Sequence, residues 1–460
     1  MTHILLMGSL GSECICRFLK GITIEMNPSN RRSFLRVSAA VTAGAVLVQR
    51  ESVGGDDGRE PVRIAVVGTG ARGCDLIRAL TTIAAAKVVA VCDPYGPHLE
   101  RGWQYAGPLA RTFDDHRKLL DEAKPQAVVV AVPLASHFSI CRDALEAGCA
   151  VFCEKTMCYS IEQARKLVAL VDAKQSIFQV GLQRRANAIY RQAAAMVQTG
   201  MLGRITAIEC QWHRNHNWRR PVPVARGHAD FGKLDRQLNW RLYRETSQGL
   251  MAELGSHQLD VANWFLGTPP KRVFATGGID YWRDGREVFD NISCLYEYEV
   301  TPRKPARGQT PVIGTNEEPY TVRVSYSSLQ NNAFEGASEL ILGTHGTLFL
   351  SQKKGLFYRE SLPETIDWSN RADKQASVVT SGKTLKLSND PWAHRGAPFE
   401  IDSESDDTRD ELVSFVEHVQ QADRATICSA RDGLVNATTI LMANDSATKR
   451  QVIEWPLADT

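Results

Sequence analysis

Residues 63–73 read Arg63-Ile64-Ala65-Val66-Val67-Gly68-Thr69-Gly70-Ala71-Arg72-Gly73. The apolar run before the first glycine predicts a short buried strand of a parallel sheet. The glycines follow the G-x-G-x-x-G spacing: the first permits a tight turn, the second lets a pyrophosphate approach the backbone, and the third lets helix pack on strand. The helix expected over residues 72–83 would point its N-terminal amides at the phosphates. The stretch therefore predicts a dinucleotide-binding loop, made of Gly68, Thr69, Gly70, Ala71, Arg72 and Gly73.

An acidic residue follows the loop at the expected distance. A second strand is predicted over residues 87–92, and Asp93 ends it 20 positions after Gly73. In dinucleotide-binding units an acidic residue at this spacing binds the ribose hydroxyls of the adenosine. A carboxylate there also repels a 2′-phosphate, so NAD is favoured and NADP is the weaker alternative.

Strands and helices continue to alternate along the next ninety residues. Strands are expected over residues 127–132, 150–153 and 177–180, with helices over residues 137–147 and 161–173. The alternation predicts an α/β fold with a doubly wound parallel sheet, a Rossmann domain over residues 61–182. Ligands of such sheets lie beyond the carboxyl ends of the strands. There we expect Pro133, His137 and Glu154 to contact the cofactor.

The second half predicts an α+β domain with a largely antiparallel open sheet over residues 183–440. Its strands are expected over residues 204–212, 271–278, 291–300, 321–329, 338–342 and 346–351, which follow one another without long helices. Helices are expected over residues 406–421 and 430–449, and residues 441–460 form a tail that closes the fold. Residues 301–320 are interpreted as an exposed insertion and residues 352–405 as irregular.

The segment 211–243 is rich in Trp, Arg, His and Asn. Aromatic rings next to hydrogen-bonding groups suit a carbohydrate, because a ring face stacks on the sugar while polar groups meet its hydroxyls. Trp240 and Tyr243 are the substrate-binding candidates from this segment. The alternative is a loop packed beneath the second sheet.

The N-terminus is interpreted as a targeting segment. Asn30-Arg31-Arg32-Ser33-Phe34-Leu35-Arg36 precedes a short uncharged, mostly apolar run, which resembles a twin-arginine export signal. Residues 1–60 are therefore treated as leader and linker, with Met26 as a possible true start. The expected location is periplasmic or exported through the twin-arginine machinery; the alternative is a basic tail on a cytoplasmic protein.

Composition excludes several classes of function. The net charge of +2 gives no electrostatic reason to bind nucleic acid or a membrane surface. No run reaches the roughly 18 apolar residues needed to span a bilayer. The closest cysteines, Cys149, Cys153 and Cys158, match no common zinc spacing, so no metal site is expected.

Four pieces of the sequence together resemble the glucose–fructose oxidoreductase / inositol dehydrogenase (Gfo/Idh/MocA) family. They are the glycine loop, the segment Val132-Pro133 to His137, the pair Glu154-Lys155, and Glu253-Leu254-Gly255-Ser256-His257-Gln258-Leu259-Asp260. The resemblance implies an NAD(P)-dependent oxidoreductase that acts on a sugar, cyclitol or related polyol, and a homo-oligomer, either a dimer or a tetramer, formed through the second sheet.

The resemblance also implies roles for individual residues. Lys155 would lie beside the nicotinamide and the substrate hydroxyl, although Thr156 stands where the family has proline. His257 would be the general acid or base. Glu253 replaces the usual aspartate, and a carboxylate one helical turn before a histidine can orient it or tune its pKa. Arg185 and Asp260 complete the substrate-binding candidates.

Two other functions remain open on the sequence. A glycosidase or lyase could use tightly held NAD in a transient redox cycle on a glycoside. A non-catalytic nucleotide-binding protein is less favoured, because Lys155 and His257 are both retained.

Overall fold

The structure is a computed structural model that describes residues 59–302, 318–360, 399–401 and 406–457. The segment interpreted as a leader, most of the insertion expected at 301–320 and most of the stretch 352–405 lie outside these ranges. None of the helices in the described ranges is long and apolar enough to cross a membrane.

The first sheet has six parallel strands in the order β3-β2-β1-β4-β5-β6. Its strands are β1 (Val62–Val67), β2 (Ala86–Cys92), β3 (Arg111–Phe113), β4 (Ala127–Val130), β5 (Ala150–Glu154) and β6 (Phe178–Gly181). Strand β1 pairs with β2 on one side and β4 on the other, so the strand order reverses there and opens the crevice in which such sheets bind ligands. The predicted Rossmann architecture is confirmed.

Five helices connect these strands. They are α1 (Ala71–Thr81), α2 (Gly96–Ala106), α3 (His116–Ala123), α4 (His137–Glu146) and α5 (Ile161–Lys174). Helices α2 and α3 escaped the sequence prediction. Each has a short apolar face that the sequence analysis did not single out. Leu99, Trp103 and Ala106 of α2 and Leu119, Leu120 and Ala123 of α3 pack on the core of the first sheet.

The second sheet has nine strands in the order β14-β13-β12-β11-β7-β10-β9-β8-β15. They are β7 (Ile205–Asn215), β8 (Pro270–Gly278), β9 (Asn291–Val300), β10 (Tyr320–Leu329), β11 (Asn331–Gly343), β12 (Gly346–Ser351), β13 (Lys354–Arg359), β14 (Phe399–Ile401) and β15 (Ile453–Glu454). The sheet is largely antiparallel, as predicted, but β7 and β10 run parallel. Strands β13 and β14 lie in the stretch expected to be irregular, which corrects that interpretation.

One face of the second sheet is covered by helices. Helix α6 (Ala188–Gln198), helix α8 (Ser256–Leu266) and part of a C-terminal helix pack there around the fully buried Tyr296 and Tyr298. A short helix, α7 (Phe231–Leu238), lies in the long connection between β7 and β8. The chain therefore crosses from the second sheet to the crevice of the first through residues 216–255.

The two C-terminal helices tie the sheets together. In α9 (Asp407–Gln421), Phe415 meets Phe152 of β5 at a centroid distance of 5.7 Å, so this helix belongs to the core of the first sheet. Helix α10 (Ala430–Lys449) begins with a Ser429–Asp432 capping box and contributes to both cores. Residue 440, where we expected the second domain to end, lies in the middle of this continuous helix.

Candidate active site

A cavity of about 590 Å³ opens where the carboxyl ends of the first sheet face the second domain. The Rossmann side contributes the loop after β1, the segment after β4 and the end of β5. The second domain contributes β7, the loop that follows it and the turn before α8. Its lining residues include Arg72, His137, Glu154, Lys155, Trp212, Arg214, Trp218, Arg220, Trp240, Arg241, Glu253 and His257.

The glycine loop has the geometry that each glycine was predicted to provide. Gly68 has φ +92°, and a Cβ there would lie 2.5 Å from the carbonyl oxygen of Ala131. A Cβ on Gly73 would lie 1.9 Å from the carbonyl oxygen of Gly68, because α1 packs tightly on the loop. A Cβ on Gly70 would meet no atom within 4 Å. Space for a ligand is therefore left at the second glycine alone.

Asp93 lies beside this loop and braces it. Its Oδ2 accepts a hydrogen bond from the Thr69 backbone N–H at 2.9 Å, and its Oδ1 accepts one from Tyr95 N–H at 2.9 Å. Although burial opposes the charge, hydrogen bonds from His98 and from these backbone amides lower the pKa of Asp93. The carboxylate is thus charged and only 8% exposed, and contact with a ribose remains a prediction.

Arg72 joins the loop to β5 and to α9. Its Nε donates to Glu154 Oε1 at 2.5 Å, and its Nη2 donates to Glu411 Oε1 at 2.9 Å. Burial opposes the charge, but Glu154 and Glu411 raise the pKa of Arg72. Burial, together with Glu154 nearby, raises the pKa of Glu411. One guanidinium therefore holds two carboxylates, and Glu154 is fixed at the cavity edge.

Lys155 is held against the turn that precedes α8. Its Nζ donates to the carbonyl oxygen of Glu253 at 2.8 Å and lies 3.4 Å from that of Ala252. That turn, Met251–Gly255, is a π-helix, a feature that is frequent at functional sites. Burial, with Arg241 nearby, lowers the pKa of Lys155. At most two of its three N–H groups are used by the protein, which leaves one for a ligand.

His137 contacts the main chain next to Lys155 and is almost fully buried. Its two ring nitrogens lie 3.0 Å from the carbonyl oxygens of Thr156 and Val132. A neutral imidazole has one donor, so two carbonyls favour the protonated ring. Although burial opposes it, the surroundings, which include Cys153 and the Val132 carbonyl, raise the pKa of His137 to about 9. The Lys155–Thr156 peptide bond that it anchors is cis.

His257 lies on the first turn of α8 and is 6% exposed. Its ring packs beside Trp212 with centroids 5.1 Å apart, and no side chain of the described residues hydrogen-bonds to its nitrogens. Burial and the nearby Lys155 and Arg184 lower the pKa of His257 well below its ordinary value. The imidazole is therefore neutral near pH 7 and free to accept a proton from a ligand.

Glu253 faces the cavity but does not hold His257. Its carboxylate accepts a hydrogen bond from Arg241 Nε at 2.7 Å, while its carbonyl oxygen holds Lys155. Although burial opposes the charge, Arg241 and Lys155 lower the pKa of Glu253. The described residues show no hydrogen bond between Glu253 and His257, which corrects the expectation that this carboxylate orients the histidine.

Of the four predicted substrate-binding residues, the structure places Trp240 on the cavity lining. Arg185 and Asp260 form a buried two-point ion pair with each other, at 2.9 Å for both hydrogen bonds. The Tyr243 hydroxyl donates to Asp235. These three side chains are not among the residues that line the cavity, and protein partners already satisfy their polar groups.

Some of the predicted cofactor-binding residues line the cavity and others lie beside it. Arg72, His137 and Glu154 lie on the lining, whereas Pro133 begins the short turn Leu134–Ser136 beside it. The sequence prediction missed Trp212, Arg214, Arg220 and Arg241, which also line the cavity. The one sequence signal for these residues was the unusual composition of residues 211–243. Composition does not tell which side chains of a segment face the cavity.

Comparison with known proteins agrees with this geometry. Residues 62–182 match the oxidoreductase family with an NAD-binding Rossmann fold, and residues 190–301 match the GFO/IDH/MocA C-terminal domain. The chain belongs to the Gfo/Idh/MocA family. The two matches cover the glycine loop, Lys155, Glu253 and His257, so the resemblance carried by those motifs is confirmed.

The chain is similar to proteins that act on polyols and sugars. It is 36% identical to inositol 2-dehydrogenase 3 of Saccharopolyspora erythraea over 157 residues, 34% of this chain and 45% of that protein. The chain spans about half the length of the curated relatives it matches, with shares between 42% and 58% among them.

Solved structures share the fold. The WlbA dehydrogenase of Bordetella pertussis, in complex with NADH and UDP-GlcNAcA, aligns with a TM-score of 0.61 at 19% identity, over 87% of this chain and 100% of that one. The scyllo-inositol dehydrogenase of Lactobacillus casei, with NAD(H) and scyllo-inositol, aligns with a TM-score of 0.58 at 19% identity, over 86% and 99%.

The residues of the NAD-binding Rossmann domain fit the cofactor. Gly70 faces open space, and helix α1 has neither a side-chain cap nor an acidic residue in its first turn. Its N-terminal amides are therefore available to a pyrophosphate, which the helix dipole also favours. Asp93 stands at the end of β2, where a ribose is expected.

A valine at Gly70 is expected to block NAD while leaving the fold intact, because its side chain would enter the space kept for the pyrophosphate. Titration of the purified variant with NAD should show at least roughly tenfold weaker binding, the scale of a lost charged hydrogen bond. Asp93→Ala should also weaken binding.

Gly73→Ala provides the contrasting variant, because its Cβ would collide with the loop backbone. It should lower the melting temperature, whereas Gly70→Val should not. Unchanged NAD affinity in Gly70→Val would contradict the assignment of the loop.

Proposed function

We propose that this protein is an NAD-dependent oxidoreductase that removes a hydride from a sugar, cyclitol or related polyol. The observation that carries the proposal is that Lys155 and His257, from opposite domains, line the same cavity near a glycine loop with room for a dinucleotide. One residue of the pair offers a spare N–H donor, and the other offers a neutral imidazole.

The side chains supply the proton chemistry of this reaction. Oxidation of a secondary alcohol removes a hydride from carbon and a proton from oxygen, and bound NAD supplies the hydride acceptor. The neutral His257 imidazole takes the hydroxyl proton, because its lowered pKa leaves it unprotonated near pH 7. The Lys155 ammonium donates a hydrogen bond to the same oxygen and stabilises the developing negative charge.

The aromatic lining supports a carbohydrate-like substrate. Trp212, Trp218 and Trp240 all face the cavity, and indole rings stack well on the C–H face of a sugar. NADP is the weaker alternative, because the charged Asp93 would repel a 2′-phosphate.

Lys155→Ala and His257→Ala should each lower kcat by roughly 100- to 10,000-fold, the usual contribution of a positioned acid or base. The full-length protein is loaded with NAD, and absorbance of reduced cofactor is followed against a panel of sugars and cyclitols. NAD affinity should be unchanged in both variants, since neither residue lies on the glycine loop.

His228→Ala and Lys233→Ala are the matched controls, because both side chains are exposed and lie off the cavity lining. Turnover preserved in both Lys155→Ala and His257→Ala would contradict the site. Release of the aglycone from glycosides without accumulation of NADH would favour a redox-cycling glycosidase or lyase instead.

We further propose that the protein is exported with its cofactor already bound. The support is the Arg31-Arg32 pair ahead of an uncharged run, since twin-arginine export carries folded proteins. Met26 is proposed as the start of the exported chain.

Replacing Arg31 and Arg32 together by lysine should retain the full-length protein in the cytoplasm, as measured by fractionation of an expressing bacterium. Arg36→Lys, a third arginine of the same patch, should be exported normally. Export of the double variant at the normal level would rule out the twin-arginine route.

We also propose a homo-oligomer built on the open face of the second sheet. Phe274 on β8 and Leu295 on β9 are direct cross-strand neighbours, and they are 48% and 47% exposed. Adjacent large apolar side chains on an open sheet face suit a second copy of the chain.

Leu295→Glu should shift the protein toward the monomer in sedimentation velocity, because a buried unpaired charge disfavours the interface. Leu109→Glu is the control, since that leucine is 83% exposed in the first domain. The same assembly in both variants would place the interface elsewhere.

A further inference from the structure

Arg214 lies next to the candidate proton acceptor. It follows Trp212 on β7, and its guanidinium carbon is 4.7 Å from the centroid of the Trp212 ring. The same ring packs beside His257 at 5.1 Å. Trp212 therefore fixes both the imidazole and the guanidinium at the substrate end of the cavity.

The guanidinium of Arg214 has no carboxylate of its own among the described residues. Among the described residues it forms no ion pair and no hydrogen bond. It stacks on Trp212, and its attractive charge interaction is with Glu253, a carboxylate that is already bonded to Arg241. Burial and the neighbouring Arg241 lower the pKa of Arg214, although the charge of Glu253 opposes the shift. Glu253 also faces Arg241 and Lys155, so one carboxylate is shared by three cations and positive charge is left in excess. An anion that enters the cavity would balance this excess.

The excess of positive charge is a property of the whole lining. Six arginine and lysine side chains face the cavity, against two carboxylates, Glu154 and Glu253. The six are Arg72, Lys155, Arg214, Arg219, Arg220 and Arg241. Four of the six have protein partners. Arg72 pairs with Glu154 and Glu411, and Lys155 bonds to main-chain carbonyls. Arg219 pairs with Asp235 and Asp284, and Arg241 pairs with Glu253. The unmatched cations are Arg214 and, at the exposed rim, Arg220.

The cofactor does not account for the charge on Arg214. A pyrophosphate would lie at Gly70 and the start of α1, on the Rossmann side of the cavity. Arg214 belongs to β7 of the second domain and is one aromatic ring away from His257. An anionic group that pairs with Arg214 would therefore belong to the substrate, whose hydroxyl group is oxidised beside His257.

We propose that the substrate carries an oxyanion, a carboxylate, sulfate ester or phosphate ester, which Arg214 binds with Arg220 assisting at the rim. A planar guanidinium suits such groups because it offers paired N–H donors in one plane. This inference rests on the proposed oxidoreductase function, whose substrate class it narrows to acidic sugars or cyclitols.

Equilibrium binding tests the inference without turnover. The full-length NAD-loaded protein is titrated calorimetrically with D-glucose, D-glucuronate, D-glucose 6-sulfate and D-glucose 6-phosphate, and with the corresponding galactose series. At least one anionic member should bind roughly 10- to 100-fold more tightly than its neutral parent, as expected for charged hydrogen bonds. The preferred member tells which oxyanion is bound, and its advantage should fall as salt is raised.

Variants of the two arginines locate the binding group. In Arg214→Gln the anionic preference should collapse to about twofold or less, because the charged hydrogen bonds are lost. Arg214→Lys should retain part of it, since lysine keeps the charge but not the fork of donors. Arg220→Gln should reduce it by a smaller factor. Arg226→Gln, an exposed arginine of the same segment that lies off the lining, should keep the full preference.

The outcomes separate this inference from the proposed function. Equal binding of neutral and anionic members, no binding of any anionic member, or a preference that survives in Arg214→Gln overturns the anion site. Melting temperature and NAD affinity, measured on each variant, show that the fold is intact. An anionic preference without NADH formation supports the anion site and contradicts the oxidoreductase function. NADH formed from neutral sugars alone supports the oxidoreductase function and contradicts the anion site.

Discussion

The hydrogen bond from the Lys155 ammonium to the carbonyl oxygen of Glu253, at 2.8 Å, joins the two halves of the site. Lys155 follows β5 of the Rossmann sheet, and Glu253 belongs to the π-helical turn of the second domain. Thr156 adds a second link, because its hydroxyl donates to the carbonyl oxygen of Ala252 at 3.3 Å. Both carbonyls belong to the π-helical turn Met251–Gly255. The next residue begins α8, the helix that carries His257.

A second constraint holds the cofactor side in place. Arg72, inside the glycine loop, is bonded to Glu154 at the end of β5 and to Glu411 of α9. A residue near the C-terminus therefore supports a loop near the start of the folded domain. Buried ion pairs of this kind add little net stability but specify geometry, because alternative arrangements would leave a charge unpaired.

The charges of the cavity are arranged in two different ways. On the Rossmann side each cation is matched by a carboxylate or a carbonyl. On the side of the second domain Arg214 has no carboxylate of its own. Burial, assisted by the surrounding positive charge, keeps His257 neutral. The same field therefore prepares a proton acceptor and favours an anionic ligand, so substrate choice and acid–base chemistry share one electrostatic cause.

The sequence determined the Rossmann unit, the cofactor loop and the candidate pair Lys155 and His257, because these depend on local features. A buried strand, a glycine spacing and a helix face repeat over a few residues, and each is visible in the order of amino acids. Six of the nine strands of the second sheet, β7 to β12, were also predicted, since their alternating burial is local. Short elements such as β3 and β14 were missed because three residues carry too little pattern.

Only the tertiary structure decided which polar residues meet. Arg185 and Asp260 were candidates for the substrate, yet they bind each other, 75 positions apart. Glu253 was expected to orient His257 or tune its pKa, yet its carboxylate binds Arg241. Arg214 was not among the predicted site residues, and it shares the charge of Glu253 with Arg241. Partners of a charge are set by long-range packing of separate elements, and no spacing along the chain encodes them.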